Sequence, residues 1–255
     1  MKTIIMAAGK GTRLAALGGD MPKVLRTAGG KSLLGHVIDT ASFCAKDDFI
    51  IVVGYMAEKV ITQFPGYRFV KQGDTAYGTG YAVMCGVTGG GLLGYEGEVM
   101  VLNGDMPLVR SSTLERMLEQ HRSSGCACTL LSCVSERELP FGRIIRDPSR
   151  PEHSNVVAIV EDVCCTPEQK KIRELNVGAY IYNADKLRSS LSEIKNDNPK
   201  GEYYLTDTLS VLISSGEHVG AFVTHDETEM WGVNTPEDLD EITKILENRK
   251  NGNNA

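Results

Sequence analysis

Short apolar runs alternate along the chain with apolar positions at helical spacing. Thr3 to Ala7, Phe49 to Val53, Arg68 to Lys71, Val99 to Leu102, Cys128 to Val134 and Val177 to Tyr182 predict strands. Between them, Leu33, Leu34, Val37, Ile38 and Ala41 recur on one helical face, as do Ala82, Val83 and Val87, then Leu114, Met117, Leu118 and His121, and later Leu209, Leu212 and Ile213. The alternation predicts an α/β fold: a doubly wound, mostly parallel sheet with helices on both faces. After about residue 125 the pattern is broken by Pro140, Pro148 and Pro151 around short strand-like pieces, Arg143 to Arg146 and Val156 to Val160. The expectation is one domain over 1–250, with a regular half (1–125) and an elaborated half (126–235). A last helix is expected from Pro236 to about Arg249, and 251–255 read as a disordered tail.

The 255 residues, 42% hydrophobic, suffice for a large core, which removes disorder and coiled coil from consideration. A formal charge of −6 has the wrong sign for a general nucleic-acid or anionic-membrane binder, so any polyanion must be held in a local pocket. No stretch approaches the ~20 apolar residues of a membrane span, and the N-terminus loses hydrophobicity too early for a secretory signal. The seven cysteines include no Cys-x-x-Cys pair, so neither a disulfide framework nor a zinc ribbon is indicated and a cytoplasmic location is expected. The five histidines lack metal-ligand spacing, and no serine nucleophile elbow is present.

The first strand runs into Ala7-Ala8-Gly9-Lys10-Gly11-Thr12-Arg13-Leu14, with Pro22-Lys23-Val24-Leu25 a few residues on. A glycine-rich turn at a strand's carboxyl end lets backbone N–H groups approach phosphate oxygens, and Lys10, Arg13 and Lys23 supply cations. A tight turn beside solvated basic residues is the plainer reading. A dinucleotide fingerprint would need glycine at position 14 and an acid after the second strand, where Leu14 and Val53-Gly54 stand. A Walker loop ending in Gly30-Lys31-Ser32 would need glycine where Leu25 stands, so Gly29-Gly30 is assigned to a turn and Ser32 to a helix start. Asp105, after an apolar strand and beside Gly104, is placed either to hold Mg²⁺ against a phosphate or to cap the next element.

These segments resemble the sugar-nucleotide pyrophosphorylases, most closely the uridylyltransferase domain of bifunctional UDP-N-acetylglucosamine pyrophosphorylases. The resemblance continues in order through Gly78-Thr79-Gly80, Leu102-Asn103-Gly104-Asp105-Met106-Pro107-Leu108, Phe141-Gly142-Arg143-Ile144, Ile159-Val160-Glu161, Asn176-Val177-Gly178, Gly201-Glu202-Tyr203-Tyr204-Leu205-Thr206-Asp207 and Gly232-Val233-Asn234. It implies a Rossmann-like (GT-A-like) nucleotidyltransferase that joins UTP to N-acetylglucosamine 1-phosphate, with Mg²⁺ as cofactor.

By resemblance, Arg13, Lys23 and Asp105 are catalytic, and Asp105 and Asn234 hold the metal. The nucleotide falls to Ala7, Ala8, Gly9, Lys10, Gly11, Thr12, Gln72, Gly78, Thr79, Asn103 and Gly104, and the sugar to Gly142, Glu161, Asn176, Tyr204 and Asn234. Asn103 stands where relatives often carry tyrosine or serine. Bifunctional members continue into a left-handed β-helix that transfers an acetyl group; the present length leaves no room for it, so acetyl transfer is not expected. Another sugar 1-phosphate or nucleotide, a non-catalytic regulatory module and a NAD-dependent enzyme stay open, as does the oligomeric state.

Overall fold

The apolar runs pair into one twisted sheet whose order explains where a ligand can sit. The computed structural model describes residues 1–11, 13–14, 18, 20–150 and 155–252. In chain order the strands are β1 (Lys2–Ala7), β2 (Thr27–Ala28), β3 (Lys31–Ser32), β4 (Phe49–Val53), β5 (Arg68–Lys71), β6 (Glu98–Asn103), β7 (Cys128–Val134), β8 (Arg143–Arg146), β9 (Val156–Val160), β10 (Glu174–Asn183) and β11 (Val219–Thr224). The helices are α1 (Leu33–Thr40), α2 (Ala57–Gln63), α3 (Thr79–Gly89), α4 (Ser111–Ser124), α5 (Ala184–Leu191), α6 (Asp207–Ser214) and α7 (Pro236–Gly252). The main sheet has the order β11-β7-β10-β6-β1-β4-β5, with β8 and β9 attached as a hairpin at the side of β10. β1 is parallel to both β4 and β6, β4 to β5, and β7 to β11, whereas β10 runs against β6 and β7. The sheet is thus mostly parallel with one reversed strand, as the alternating pattern leads one to expect, and it continues through both halves of the chain.

β4 is apolar at every position, and β1 and β6 are apolar through their middles, because both faces are covered. Ile4, Ile50, Val52, Val99 and Val101 pack under Val83 and Val87 of α3 and Leu187 and Leu191 of α5. Ile5, Ile51, Val53, Met100 and Leu102 face the other way, against Leu34, Val37 and Ile38 of α1 and Leu114 and Met117 of α4. The period-two alternation of β1 thereby fills two cores. Truncating a residue such as fully buried Ile51 to alanine costs about 2–5 kcal/mol.

Local chemistry sets the ends. Gly29 (φ 55°) and Gly30 (φ 84°) make the two-residue turn between β2 and β3, where positive φ is required at both positions. Ser32 then caps α1, its hydroxyl accepting from the Gly35 amide at 3.3 Å. β10 reaches well before Val177, because polar Glu174 and Asn176 find partners inside: Arg146 and Ser132 for the first, Tyr180 for the second. β11, interrupted by Gly220, and the serine-containing α5 lie outside the elements expected from the pattern. α7 runs through Gly252, so 251 and 252 are helical instead of tail, and 253–255 lie outside the described residues. Ile242 and Leu246 of α7 form a third small core with Leu14, Ala28, Leu33, Leu108 and Val233. All seven cysteines are free thiols, and among the described residues no helix is long and apolar enough to cross a membrane.

Candidate active site

From central β1 the chain proceeds outward to β4 and β5, then returns to place β6 on the other side of β1. Loops leaving the carboxyl ends of these strands diverge there and leave a crevice, the place where doubly wound sheets bind ligands. The crevice is a cavity of about 920 Å³, large enough for a nucleotide with a second substrate. Its wall takes Ala8, Gly9, Lys10, Gly11 and Arg13 from the first loop, Lys23 from the 3-10 turn after it, Gln72, Gly78 and Thr79 from beyond β5, and Asn103 and Asp105 from the end of β6. Asn234 enters from the start of α7. Ala7 stays in the core at 2% exposure, and Gly104 donates its amide to the Met6 carbonyl at 2.9 Å, holding the Asp105 loop against β1. Thr12 lies outside the described residues.

The first loop presents backbone. Nothing lies within 4 Å of where a Gly9 side chain would project, so a ligand has free approach to the main chain. Gly11 has φ 60°, and a Cβ there would come within 2.6 Å of the Lys23 Cβ, so glycine lets the lysine stem lie against the loop. Leu14 anchors the far end, 2% exposed, its amide bonded to the Gly11 carbonyl at 2.9 Å. Lys10 extends over the Tyr77 ring, 5.7 Å from its centroid.

At the floor, Lys23 comes directly after Pro22 and opens a 3-10 turn whose Val24 and Leu25 are buried, which turns its side chain into the crevice. The Lys23 Nζ lies 2.5 Å from Asp105 Oδ2 and donates to Asn234 Oδ1 at 3.0 Å. Lys23 thus meets a residue 211 positions away in sequence. The Val233 amide bonds the Asp105 carbonyl at 3.0 Å, tying the two loops. Asp238 accepts from the Asn234 and Thr235 amides at 2.8 Å each and donates its own amide to Thr235 Oγ1 at 3.2 Å, a reciprocal cap that fixes Asn234 to the start of α7.

The turn before α3 is locked to a distant segment. The Tyr203 amide bonds the Tyr77 carbonyl and the Gly80 amide bonds the Tyr203 carbonyl, each at 2.8 Å, while Thr79 Oγ1 accepts from the Leu205 amide at 3.0 Å. Gly78 has φ 107°, and a Cβ would stand 2.3 Å from the Tyr203 carbonyl oxygen. Thr79 therefore uses its hydroxyl for positioning while still bordering the crevice. Two aromatics absent from the expected set, Tyr55 and Tyr77, also line it at 39% and 47% exposure, together with Glu58, Asp74 and Glu202. A tyrosine in a polar turn such as Gly73-Asp74-Thr75-Ala76-Tyr77-Gly78 is the one local signal that could have marked this wall.

Gly142, Glu161, Asn176 and Tyr204 are not on the cavity wall and form a flank beyond it. The Asn176 amide bonds the Gly142 carbonyl at 2.8 Å, while the side chain donates to the Tyr180 hydroxyl at 2.7 Å and accepts from the Gly178 amide at 3.2 Å. Thr206 donates to Glu161 at 3.0 Å. Arg143, 3% exposed, donates to the carbonyls of Leu139 and Phe141 and pairs with Asp162 at 3.2 Å, clipping the strands that carry Gly142 and Glu161 together. Burial first, then the carboxylates of Glu202 and Glu161, raises the Tyr204 hydroxyl above its ordinary range, and burial with Glu161 and Asp197 does the same for the Asp207 carboxyl. Asn103 joins the flank to the crevice by donating to the Gly178 carbonyl at 3.2 Å, across an irregularity in β10.

Glycine-borne backbone at a switch point, with cations around it and a carboxylate on its floor, is an arrangement suited to an anionic, phosphate-bearing ligand. The chain belongs to the MobA-like NTP transferase domain family, which matches residues 3–177. It is 41% identical over 250 residues to the bifunctional protein GlmU of Solibacter usitatus and 38% identical over 252 residues to that of Caldanaerobacter subterraneus, covering 97% and 98% of this chain and 52% of each relative. The chain therefore spans about half the length of these relatives. Among solved structures, its fold is similar to a putative glucose-1-phosphate thymidylyltransferase from Bacillus anthracis (TM-score 0.74, 19% identity, 97% of this chain and 95% of that one). It is also similar to a nucleoside-diphosphate-sugar pyrophosphorylase from Vibrio cholerae (TM-score 0.70, 17% identity, 94% of this chain and 99% of that one).

Proposed function

We propose that this nucleotidyltransferase makes UDP-N-acetylglucosamine and pyrophosphate from UTP and N-acetylglucosamine 1-phosphate. The observation that carries the reading is the meeting of Lys23, Asp105 and Asn234 on the crevice floor, beside the open backbone of Gly9. A phosphate oxygen of the sugar phosphate attacks the α-phosphorus of UTP, a new P–O bond forms, and the bond to the β-phosphate breaks to release pyrophosphate. Such a transfer needs no protein nucleophile; positioning and charge neutralisation do the work. Lys23 neutralises charge at the α-phosphate, and Arg13 with the amides around Gly9 and Gly11 holds the departing pyrophosphate. Gln72, Gly78 and Tyr77 border the base, and Gly142, Glu161, Asn176 and Tyr204 receive the sugar.

Among the described residues no group of three or more His, Cys, Asp or Glu is placed to hold a metal. The pair of oxygens from Asp105 and Asn234 nevertheless suits Mg²⁺, a hard cation that keeps open positions for phosphate and water, and a cationic ammonium already bridges them. When bound there, Mg²⁺ supplies charge neutralisation to the phosphates.

The test is pyrophosphate release with Mg²⁺ across UTP, dTTP, CTP and GTP against N-acetylglucosamine, glucose and glucosamine 1-phosphates. Release with UTP and N-acetylglucosamine 1-phosphate is expected. Release with a different pair keeps the chemistry and changes the substrates, and silence across the matrix in protein that binds UTP overturns the reading in favour of a regulatory nucleotide-binding module.

A further inference from the structure

The Lys23 ammonium does more than lie near the proposed cation ligands; it occupies the point on which they converge, 2.5 Å from Asp105 Oδ2 and 3.0 Å from Asn234 Oδ1. Its stem has little freedom, with the side chain 11% exposed and packed so close to Gly11 that no Cβ would fit between them. Its main chain is fixed as well, the Arg26 amide bonding the Lys23 carbonyl at 3.0 Å. Only the end of the side chain can swing. One carboxylate and one neutral amide balance a single positive charge. A divalent cation added beside an unmoved ammonium would leave two uncompensated charges on a partly buried floor, where screening is weak. The phosphates of a nucleotide are the anions that could draw the ammonium away and complete the coordination of the cation. Lysine suits such an exchange, being a compact charge on a flexible stem, whereas Mg²⁺ gives up its water reluctantly and needs well-placed oxygens in return.

We infer that Lys23 and the divalent cation are alternative occupants of one seat, so that the cation enters with the nucleotide and not ahead of it. The inference rests on the proposed role of Asp105 and Asn234. Lys23 is then a placeholder that keeps the two ligands together in the empty enzyme, and its departure to the α-phosphate is coupled to arrival of the metal. Metal and nucleotide bind with positive cooperativity because each removes an obstacle to the other.

The experiment is a Mn²⁺ titration of nucleotide-free protein read by electron paramagnetic resonance, with circular dichroism as the check on folding. Lys23→Met is expected to bind Mn²⁺ at least tenfold more tightly than wild type, Lys23→Arg to bind it as weakly as wild type, and Asp105→Asn added to Lys23→Met to abolish the gain. Equal affinities, weaker binding by Lys23→Met, or no Mn²⁺ site in either protein overturns the inference. A second measurement uses wild type alone. Labelling of the Lys23 amine by acetic anhydride, read by mass spectrometry, should quicken severalfold when Mn²⁺ saturates the protein, and an unchanged rate counts against the exchange. Pyrophosphate release by wild type separates the two failures: release with equal Mn²⁺ affinities removes the lysine exchange alone, whereas no release under any substrate pair removes the reading beneath it.

Discussion

The two sides of the crevice are built from different material. On the side of β1, β4, β5 and β6, the wall is largely backbone: open Gly9, Gly11 against Lys23, Gly78 against Tyr203 and the Gly104 amide on Met6. On the side of β8, β9 and β10, the flank is made of buried and half-buried polar side chains: Arg143 pairs with Asp162, Glu174 with Arg146, and Asn176 with Tyr180 further along its own strand. A wall of backbone needs absent side chains, and a wall of polar side chains needs a partner for each of them. On the proposed function, the first would accept anionic oxygens of the right spacing, and the second could be tuned to one set of hydroxyls by changing a few residues.

The largest expected effect breaks the floor common to both sides. Asp105→Ala should keep the far-ultraviolet circular dichroism of the wild type and lower pyrophosphate release by at least ~10²-fold, the scale of losing one preorganised electrostatic contact; near-normal turnover would remove Asp105 from the mechanism. Next comes a break confined to the backbone wall. Gly78→Ala places a Cβ into the Tyr203 carbonyl at a φ of 107° and should cost about 2–4 kcal/mol in denaturant unfolding. It should also raise the nucleotide KM by parting the turn before α3 from 203–205.

Arg143→Met breaks the other flank. Loss of the guanidinium that joins Leu139, Phe141 and Asp162 should cost about 1–3 kcal/mol. It should raise the KM for the sugar phosphate roughly tenfold with the nucleotide KM unchanged, and equal shifts in both would erase the contrast between the sides.

The smallest effect tests the segment that leads into Asn234. Glu229 is 1% exposed, accepts from Thr113 at 2.8 Å, and has its carboxyl held above the ordinary value by burial and then by the charge of Asp226. Its folded value lies above the unfolded one. Its contribution to stability is therefore fully present below the unfolded value, where both states are protonated, and is lost as pH rises through the folded value. Glu229→Gln should accordingly raise Tm by a few degrees at pH 8, with the difference vanishing below about pH 4.5, the ordinary value of the carboxyl. A Tm difference independent of pH would mean that the change acts through packing.

The same contrast governs what the sequence discloses. Phe49–Val53 coincides with its apolar run because a strand buried on both faces has no other composition, and the glycine-rich loop declares itself because only glycine serves there. β10 hides its first residues because Glu174 looks exposed until the fold brings Arg146 to it, and Asn176 until the irregularity in its own strand sets the Tyr180 hydroxyl against it. Tyr55 and Tyr77 escape notice for the opposite reason, since an exposed aromatic in a loop has no period. Asn234 carries no local mark at all; its place depends on Lys23 and on the cap from Asp238, and it enters the expected site only through the resemblance.

The small core that joins Leu14, Val233, Ile242 and Leu246 also orders events in time. The glycine-rich loop leaves the ribosome long before the helix that supports its Leu14, and the same helix carries the cap that holds Asn234. A nascent chain can pair β1 with β4 and β6 long before α7 exists. The crevice therefore lacks the Asn234 part of its floor until α7 has been made, however early the sheet around β1 has formed.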